Sequence, residues 1–207
     1  YQFKNILDGI TPEWIYLTSL ADNSLPYQLE IAEYLNAHPE VKLAFQPGTF
    51  QMKLGYKNLK SIYERSEIFF CNKEEANRIL LEGDIISGEV DDIKVLMTEM
   101  RQLGPKIVVI TDGPNGAYAF DGSKMYFMPI YPDPKPPVQR TGAGDAFAST
   151  LTSFLASGMS LPEALLRAPI NSMHVVQYVG AQKGLLSKDE LEAWLAKAPG
   201  DYKVKEI

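Results

Sequence analysis

Short apolar runs alternate with helix-length amphipathic stretches through the first half of the chain. No other feature restricts the fold as much. Trp14 to Leu17 is apolar and aromatic, Val41 to Phe45 and Ile68 to Cys71 are short hydrophobic runs, and Lys106 to Thr111 is rich in β-branched residues. Each reads as a buried strand. Between them the spacing predicts helices. One starts at Pro26, carries Leu29, Ile31, Ala32 and Leu35, and ends near His38-Pro39; others cover Leu54 to Arg65, Asn72 through Leu81, and Asp91 to Leu103, where Gly104-Pro105 stops the last. Strands alternating with helices imply parallel pairing in a doubly wound, mostly parallel sheet with helices on both faces, a three-layer α/β/α class. The 207 residues suffice for one such domain with a proper core, with no internal repeat or second domain evident.

The pattern changes after Thr111. Asp112 to Gly116 (DGPNG) reads as a turn, and Ala117 to Phe120 and Lys124 to Met128 flank Asp121-Gly122, a β-hairpin near 117–128. Tyr131 to Pro137 holds four prolines and reads as an extended loop without ladder donors. A further helical region runs from Ser160 towards Tyr178, with Pro169 placed to kink or split it. Ser187 and Glu190 match a capping box that opens a last helix through Ala196.

Between these lies the stretch from Pro136 to Gly158, in which a proline-rich loop meets Thr141-Gly142-Ala143-Gly144-Asp145 and then a helical pattern of Phe147, Leu151, Phe154 and Leu155. Glycines just before a helix leave its first amides approachable, and those donors with the helix dipole suit a phosphate oxygen or a developing negative charge. Asp145 falls in the first turn. An anion hole beside a carboxylate is what phosphoryl transfer to a hydroxyl requires: amides for the transferring group, a base for the hydroxyl proton. The same residues also read as an ordinary glycine turn with an acid placed for the dipole.

Other signals are weaker singly. Asn72 and Glu75 stand at a strand-to-helix junction with the spacing of an N-cap and its reciprocal acid. Glu75 could equally act, through water, on a metal-bound triphosphate. Thr111, Gly113 and Gly116 follow a buried strand, and ligands of open α/β sheets gather at the carboxyl ends of strands; a tight turn explains them as well. Lys135, Arg140 and Lys183 are candidate phosphate contacts or plain solvated bases. His38 and His174 show no metal-ligand spacing and read as structural.

Several function classes are excluded. A net charge of −6 without a basic run argues against nucleic acid. No apolar run is long enough to span a membrane. The single cysteine, Cys71, excludes an internal disulfide, fits a reducing, cytoplasmic setting and reads as buried and inert. Neither a Gly-x-x-x-x-Gly-Lys-Ser/Thr loop nor a Gly-x-Ser-x-Gly elbow occurs, and the absence of Gly-x-Gly-x-x-Gly after an early strand argues against a dinucleotide-binding domain. Tyr1 is not an initiator methionine, and the chain enters its first strand abruptly, so an upstream segment is expected.

Taken in order, NKEEA at 72–76, TDGPNGA at 111–117 and TGAGDAF at 141–147 resemble the ribokinase-like, or PfkB, carbohydrate kinases. The likeness runs from the strand near Trp14 to Gly180-Ala181 and covers the catalytic and nucleotide-binding part of that family. It implies transfer of the γ-phosphoryl of ATP to a sugar-type hydroxyl. Asp145 matches the catalytic base, Gly142, Ala143 and Gly144 the anion hole, and Asn72 and Glu75 the motif that manages Mg2+ through water. Thr111, Gly113 and Gly116 match the nucleotide-side turn; Thr141 and Asn171 are expected on the same side, and Arg140, a departure from the family, is expected there as a replacement phosphate contact. The Pro129 to Arg140 loop resembles the segment beside the adenine, and the helix around Asn171 and Ser172 with the Gly180-Ala181 turn resembles the opposite wall. The resemblance also allows a monovalent cation and a homodimer of the full-length protein. Departures are Gln139-Arg140 where relatives often have Asp-Thr, Ala148-Ser149-Thr150 where many have glycine, Pro169 in a usually alanine-rich helix, and no counterpart of the N-terminal β-stranded lid. The substrate is a small molecule, a sugar or, for a nucleoside kinase of the same fold, a nucleoside; a non-catalytic nucleotide-binding module is the rival from another class.

Overall fold

The computed structural model describes residues 3–7 and 9–207, so Tyr1 lies outside the described residues. The chain forms two compact units, Tyr1–Thr111 with Ala119–Met125, and Asp112–Tyr118 with Tyr126–Ile207.

The first unit opens with a single helical turn, α1 (Lys4–Leu7), and then alternates as expected: β1 (Trp14–Leu17), α2 (Leu25–Ala37), β2 (Lys42–Phe45), α3 (Thr49–Arg65), β3 (Ser66–Asn72), α4 (Lys73–Glu82), α5 (Ile93–Gln102) and β4 (Ile107–Thr111). The strands β1 to β4 pair parallel in chain order. Each step between parallel neighbours needs a crossover, and a helix supplies every one. Among these four strands the order shows no reversal. Leu43, Ala44, Phe45, Ile68, Phe69 and Val108 to Ile110 are fully buried, because strands covered on both faces are apolar throughout. Tyr63 of α3 stacks on Phe69, and both rings meet Phe45 edge to face. Helix α3 begins five residues before the expected Leu54, and Gly55, with a non-helical backbone at φ 77°, kinks it there.

The second unit contains α6 (Ala143–Ala156), α7 (Leu161–Leu165), α8 (Ala168–Val175) and α9 (Lys188–Leu195). Pro169 splits the 160–178 region as expected, with α7 ending and α8 restarting around it. Helices α6 and α8 pack together, and Val175 and Val176 bury Ala146 beside Ala143. The hairpin region gives β5 (Ala117–Phe120) and β6 (Met125–Met128). Its tip is closed by the Asp121 amide on the Lys124 carbonyl at 3.2 Å, with Asp121 Oδ1 accepting from Ser123 and Lys124. A last strand, β7 (Lys205–Glu206), pairs antiparallel with β6. Among the described residues no helix is long and apolar enough to cross a membrane.

Candidate active site

Helix α6 starts from Gly142, whose backbone is left-handed at φ 86° and ψ −4°. Two conditions require glycine there. The left-handed region costs any residue with a Cβ about 1–2 kcal/mol. A Cβ would also lie 2.8 Å from Ala181 Cα and 2.9 Å from its carbonyl oxygen. The Gly180-Ala181 turn is therefore pressed against the start of α6. The Ala146 amide donates to the Gly142 carbonyl at 2.8 Å, closing the first helical turn. The Ala143 amide donates to the Arg140 carbonyl at 3.3 Å, so of the three expected anion-hole residues this one has its donor engaged within the protein. The Gly144 amide makes no hydrogen bond among the described residues, and Gly144 is exposed at the positive end of the helix. Asp145 follows in the first turn, also exposed. Thr141 and Arg140, both exposed, precede the turn.

The loop before it is tied to the end of α8. Val138 and Gln139 donate to the Val176 carbonyl at 2.8 and 3.3 Å, Gln177 Nε2 donates to Asp133 Oδ1 at 3.3 Å, and Lys135 lies over the Tyr178 ring. Asn171, expected on the nucleotide side, is buried instead: its Nδ2 donates to Thr150 Oγ1 at 2.8 Å and its Oδ1 accepts from the Leu186 amide at 3.0 Å. Its side chain fastens α8 to α6 and to the following segment. Ser172, one residue on, donates from Oγ to the Ala143 carbonyl. Lys183 is exposed. Gly113 and Gly116 shape a 3-10 turn in which the Asp112 amide donates to the Gly116 carbonyl at 2.8 Å, and Gly116 lies against the Met128 carbonyl.

In the first unit the structure brings two separate motifs side by side. Asn72 ends β3, Thr111 ends β4, and the two are register partners at the carboxyl end of the sheet. Asn72 and Glu75 form the reciprocal capping box: Glu75 N–H to Asn72 Oδ1 and Asn72 N–H to Glu75 Oε2, each at 2.8 Å. This leaves Glu75 Oε1 outside the box. Among the described residues no three His, Cys, Asp or Glu gather to hold a metal.

These elements match a family model. The model of the pfkB family carbohydrate kinases matches residues 42–188, more than half of the chain. The chain belongs to the PfkB family. Mouse ribokinase is similar to this PfkB chain at 31% identity over 153 residues, covering 73% of the chain and 45% of that protein. A cytidine kinase of Thermococcus kodakarensis is 34% identical over 107 residues, covering 52% of the chain and 36% of that protein. The chain thus spans less than half the length of these curated relatives. The solved Arabidopsis thaliana ribokinase with ribose and ATP superposes with a TM-score of 0.74 at 20% identity, covering 88% of the chain and 55% of the plant protein, which shows the shared fold.

Sequence reasoning found the glycine turn, the Asn72–Glu75 box and the Thr111 strand end. The bond from Ser172 Oγ to the Ala143 carbonyl has no sign in the local sequence. Neither Ala143 nor Thr150 carries a local sign of its α8 partner.

Proposed function

We propose that this PfkB chain is the catalytic and nucleotide-binding part of an ATP-dependent kinase that transfers a γ-phosphoryl group to a hydroxyl of a sugar or sugar-like molecule. The observation that carries the reading is the left-handed Gly142 turn, which opens α6 with an unengaged Gly144 amide and places Asp145 in the same turn. In this reading Asp145 takes the hydroxyl proton, and the 142–144 turn meets the charge that develops on the transferring group. Ala143 joins only if its amide leaves the Arg140 carbonyl. Arg140 and Thr141 border the phosphates. Thr111, Gly113 and Gly116 lie on the nucleotide side, and Asn171 contributes by position. Mg2+, when bound with the triphosphate, neutralises its charge, and Asn72 and Glu75 support it through water. A monovalent-cation requirement, a homodimer of the full-length protein and a cytoplasmic location belong to the same proposal; the buried free thiol of Cys71 fits the last.

The 34% identity to a cytidine kinase favours a second reading, a nucleoside kinase of the same fold. The shared test has two steps. Mg-ATP is titrated by calorimetry into this chain and its Asp145→Asn variant, then the full-length protein is assayed against sugars and nucleosides. Both chains should bind ATP with similar affinity, and in the full-length protein Asp145→Asn should lower kcat by about 10²- to 10⁴-fold. Unchanged turnover in the variant would remove Asp145 as the base. Binding without turnover of any substrate by the full-length protein would make this a non-catalytic nucleotide-binding module.

A further inference from the structure

One helix, α8, holds both pieces that meet at the Gly142 turn. Towards α6, Ser172 Oγ donates to the Ala143 carbonyl and Asn171 Nδ2 to Thr150 Oγ1. Towards the segment that follows α8, Asn171 Oδ1 accepts the Leu186 amide, and His174 Nδ1 lies 2.6 Å from the Gly184 carbonyl oxygen. A carbonyl oxygen only accepts, so His174 carries its proton on Nδ1. Gly184 is drawn hard onto the end of α8: a Cβ there would lie 2.7 Å from the His174 carbonyl oxygen and 2.8 Å from Val175 Cα. The imidazole is held between Tyr178 and Trp194, with ring centroids 5.4 and 5.9 Å away. Three residues before the fixed Gly184 comes Ala181, the residue that closes on Gly142.

We propose that His174 is a positioning residue for the anion-binding turn. Its Nδ1–H···O=C bond to Gly184 fixes the 180–184 turn, Ala181 then bears on Gly142, and the left-handed Gly142 keeps the Gly144 amide clear of an internal partner. Asn171 fixes the far end of the same segment at Leu186, so the two side chains clamp it at both ends of its glycine-to-leucine stretch. The functional half of this inference rests on the kinase reading of the turn; the structural half does not.

Two variants separate the bond from the packing. His174→Phe keeps a ring between Tyr178 and Trp194 and removes the donor. His174→Asn restores an N–H near the Nδ1 position and removes the ring. Amide hydrogen exchange is measured on the unliganded chain, and Mg-ATP affinity by calorimetry. In His174→Phe, exchange at the bonded Leu185 and Leu186 amides and at the Ala146 amide that closes on Gly142 should be about threefold to tenfold faster, the range one net hydrogen bond spans. Exchange in α2 and α3 should be unchanged. Mg-ATP should bind more weakly by a similar factor, and His174→Asn should recover most of both changes. Wild-type exchange at Leu185, Leu186 and Ala146 in His174→Phe would overturn the inference, whichever way ATP behaves. Equal loss in both variants would also overturn it, since ring packing rather than the donor would then hold the turn. Failure of the wild-type chain and of the full-length protein to bind Mg-ATP counts against the kinase reading, and the exchange data still decide the positioning.

Discussion

Gly142 meets two demands that one methyl group would violate together. Its φ of 86° lies where a Cβ clashes with its own backbone, and the space that a Cβ would occupy holds the Ala181 backbone. Gly142→Ala cannot satisfy both, because relaxing φ swings the first turn of α6 and relaxing the contact displaces the 180–184 turn. The variant should lower the thermal midpoint by the equivalent of about 1–2 kcal/mol from the dihedral alone. It should weaken Mg-ATP binding at least about tenfold, a loss of about 1.4 kcal/mol. Paired calorimetry and thermal melts check this. Wild-type affinity in Gly142→Ala would mean that the turn does not meet the phosphates. Asp145→Asn asks a different question at the same scale. It changes one charge on an exposed side chain and leaves the backbone of the turn alone.

The element that mixes structure with function most closely is the start of α4. Asn72 and Glu75 satisfy each other's amides in a complete capping box, so their presence is fully accounted for by helix formation. The two roles separate by substitution. Asn72→Ala removes the cap and should cost about 1 kcal/mol, read by chemical denaturation. Glu75→Gln keeps the reciprocal bond, because glutamine also serves at that position, but removes the charge. Its stability should stay near wild type while the Mg2+ dependence of ATP affinity weakens; an unchanged Mg2+ dependence would leave Glu75 with the capping role alone. The same element shows what the sequence makes visible. The cap, the strand before it and the helix after it form one unbroken stretch from Ser66 to Glu82, so periodicity and local hydrogen-bond chemistry reveal them. The Pro169 break was visible for the same reason. The four-residue α1 and two-residue β7 are too short to show a period. The burial of Asn171 depends on Thr150 and Leu186, and the closure of Gly142 depends on Ala181. Those partners are 15 or more residues away and are set by how α6 and α8 pack, which no local pattern encodes.

At the scale of the whole molecule, the perturbed ionisable groups set a window of pH in which the fold is most stable. Among the described residues, five carboxylates are held below their ordinary values. For Glu163 and Glu190 the main causes are hydrogen bonds from the Ser160 and Ser187 caps. For Asp84 and Asp91 they are bonds from Lys57 and Lys73, and for Glu40 its own backbone amide followed by His38. The unfolded chain binds protons at these groups first, at the ordinary 3.8 for Asp and 4.5 for Glu. Their contribution is thus complete above about pH 4.5 and is lost as pH falls towards the folded values. The alkaline limit has the opposite origin. Burial pushes the Tyr63 and Tyr202 hydroxyls far above the ordinary 10.0, and for Tyr63 the nearby Cys71, Tyr56 and Glu75 charges add to it. Above pH 10 the unfolded chain releases protons that the folded chain retains, so stability falls with rising pH. Thermal midpoints should therefore form a plateau between about pH 5 and pH 8.5, with a gradual acid shoulder from surface carboxylates and a steeper alkaline edge led by Tyr63, Tyr202 and the Cys71 thiol, which burial raises from its ordinary 9.0. Tyr63→Phe isolates the second claim. Phenylalanine keeps the ring that stacks on Phe69 and meets Phe45, so the plateau should move little, while the alkaline edge should become shallower because one of its strongly shifted groups is gone. An alkaline edge of unchanged steepness in Tyr63→Phe would assign the loss to other groups and detach the aromatic cluster beneath β3 from the alkaline stability of the fold.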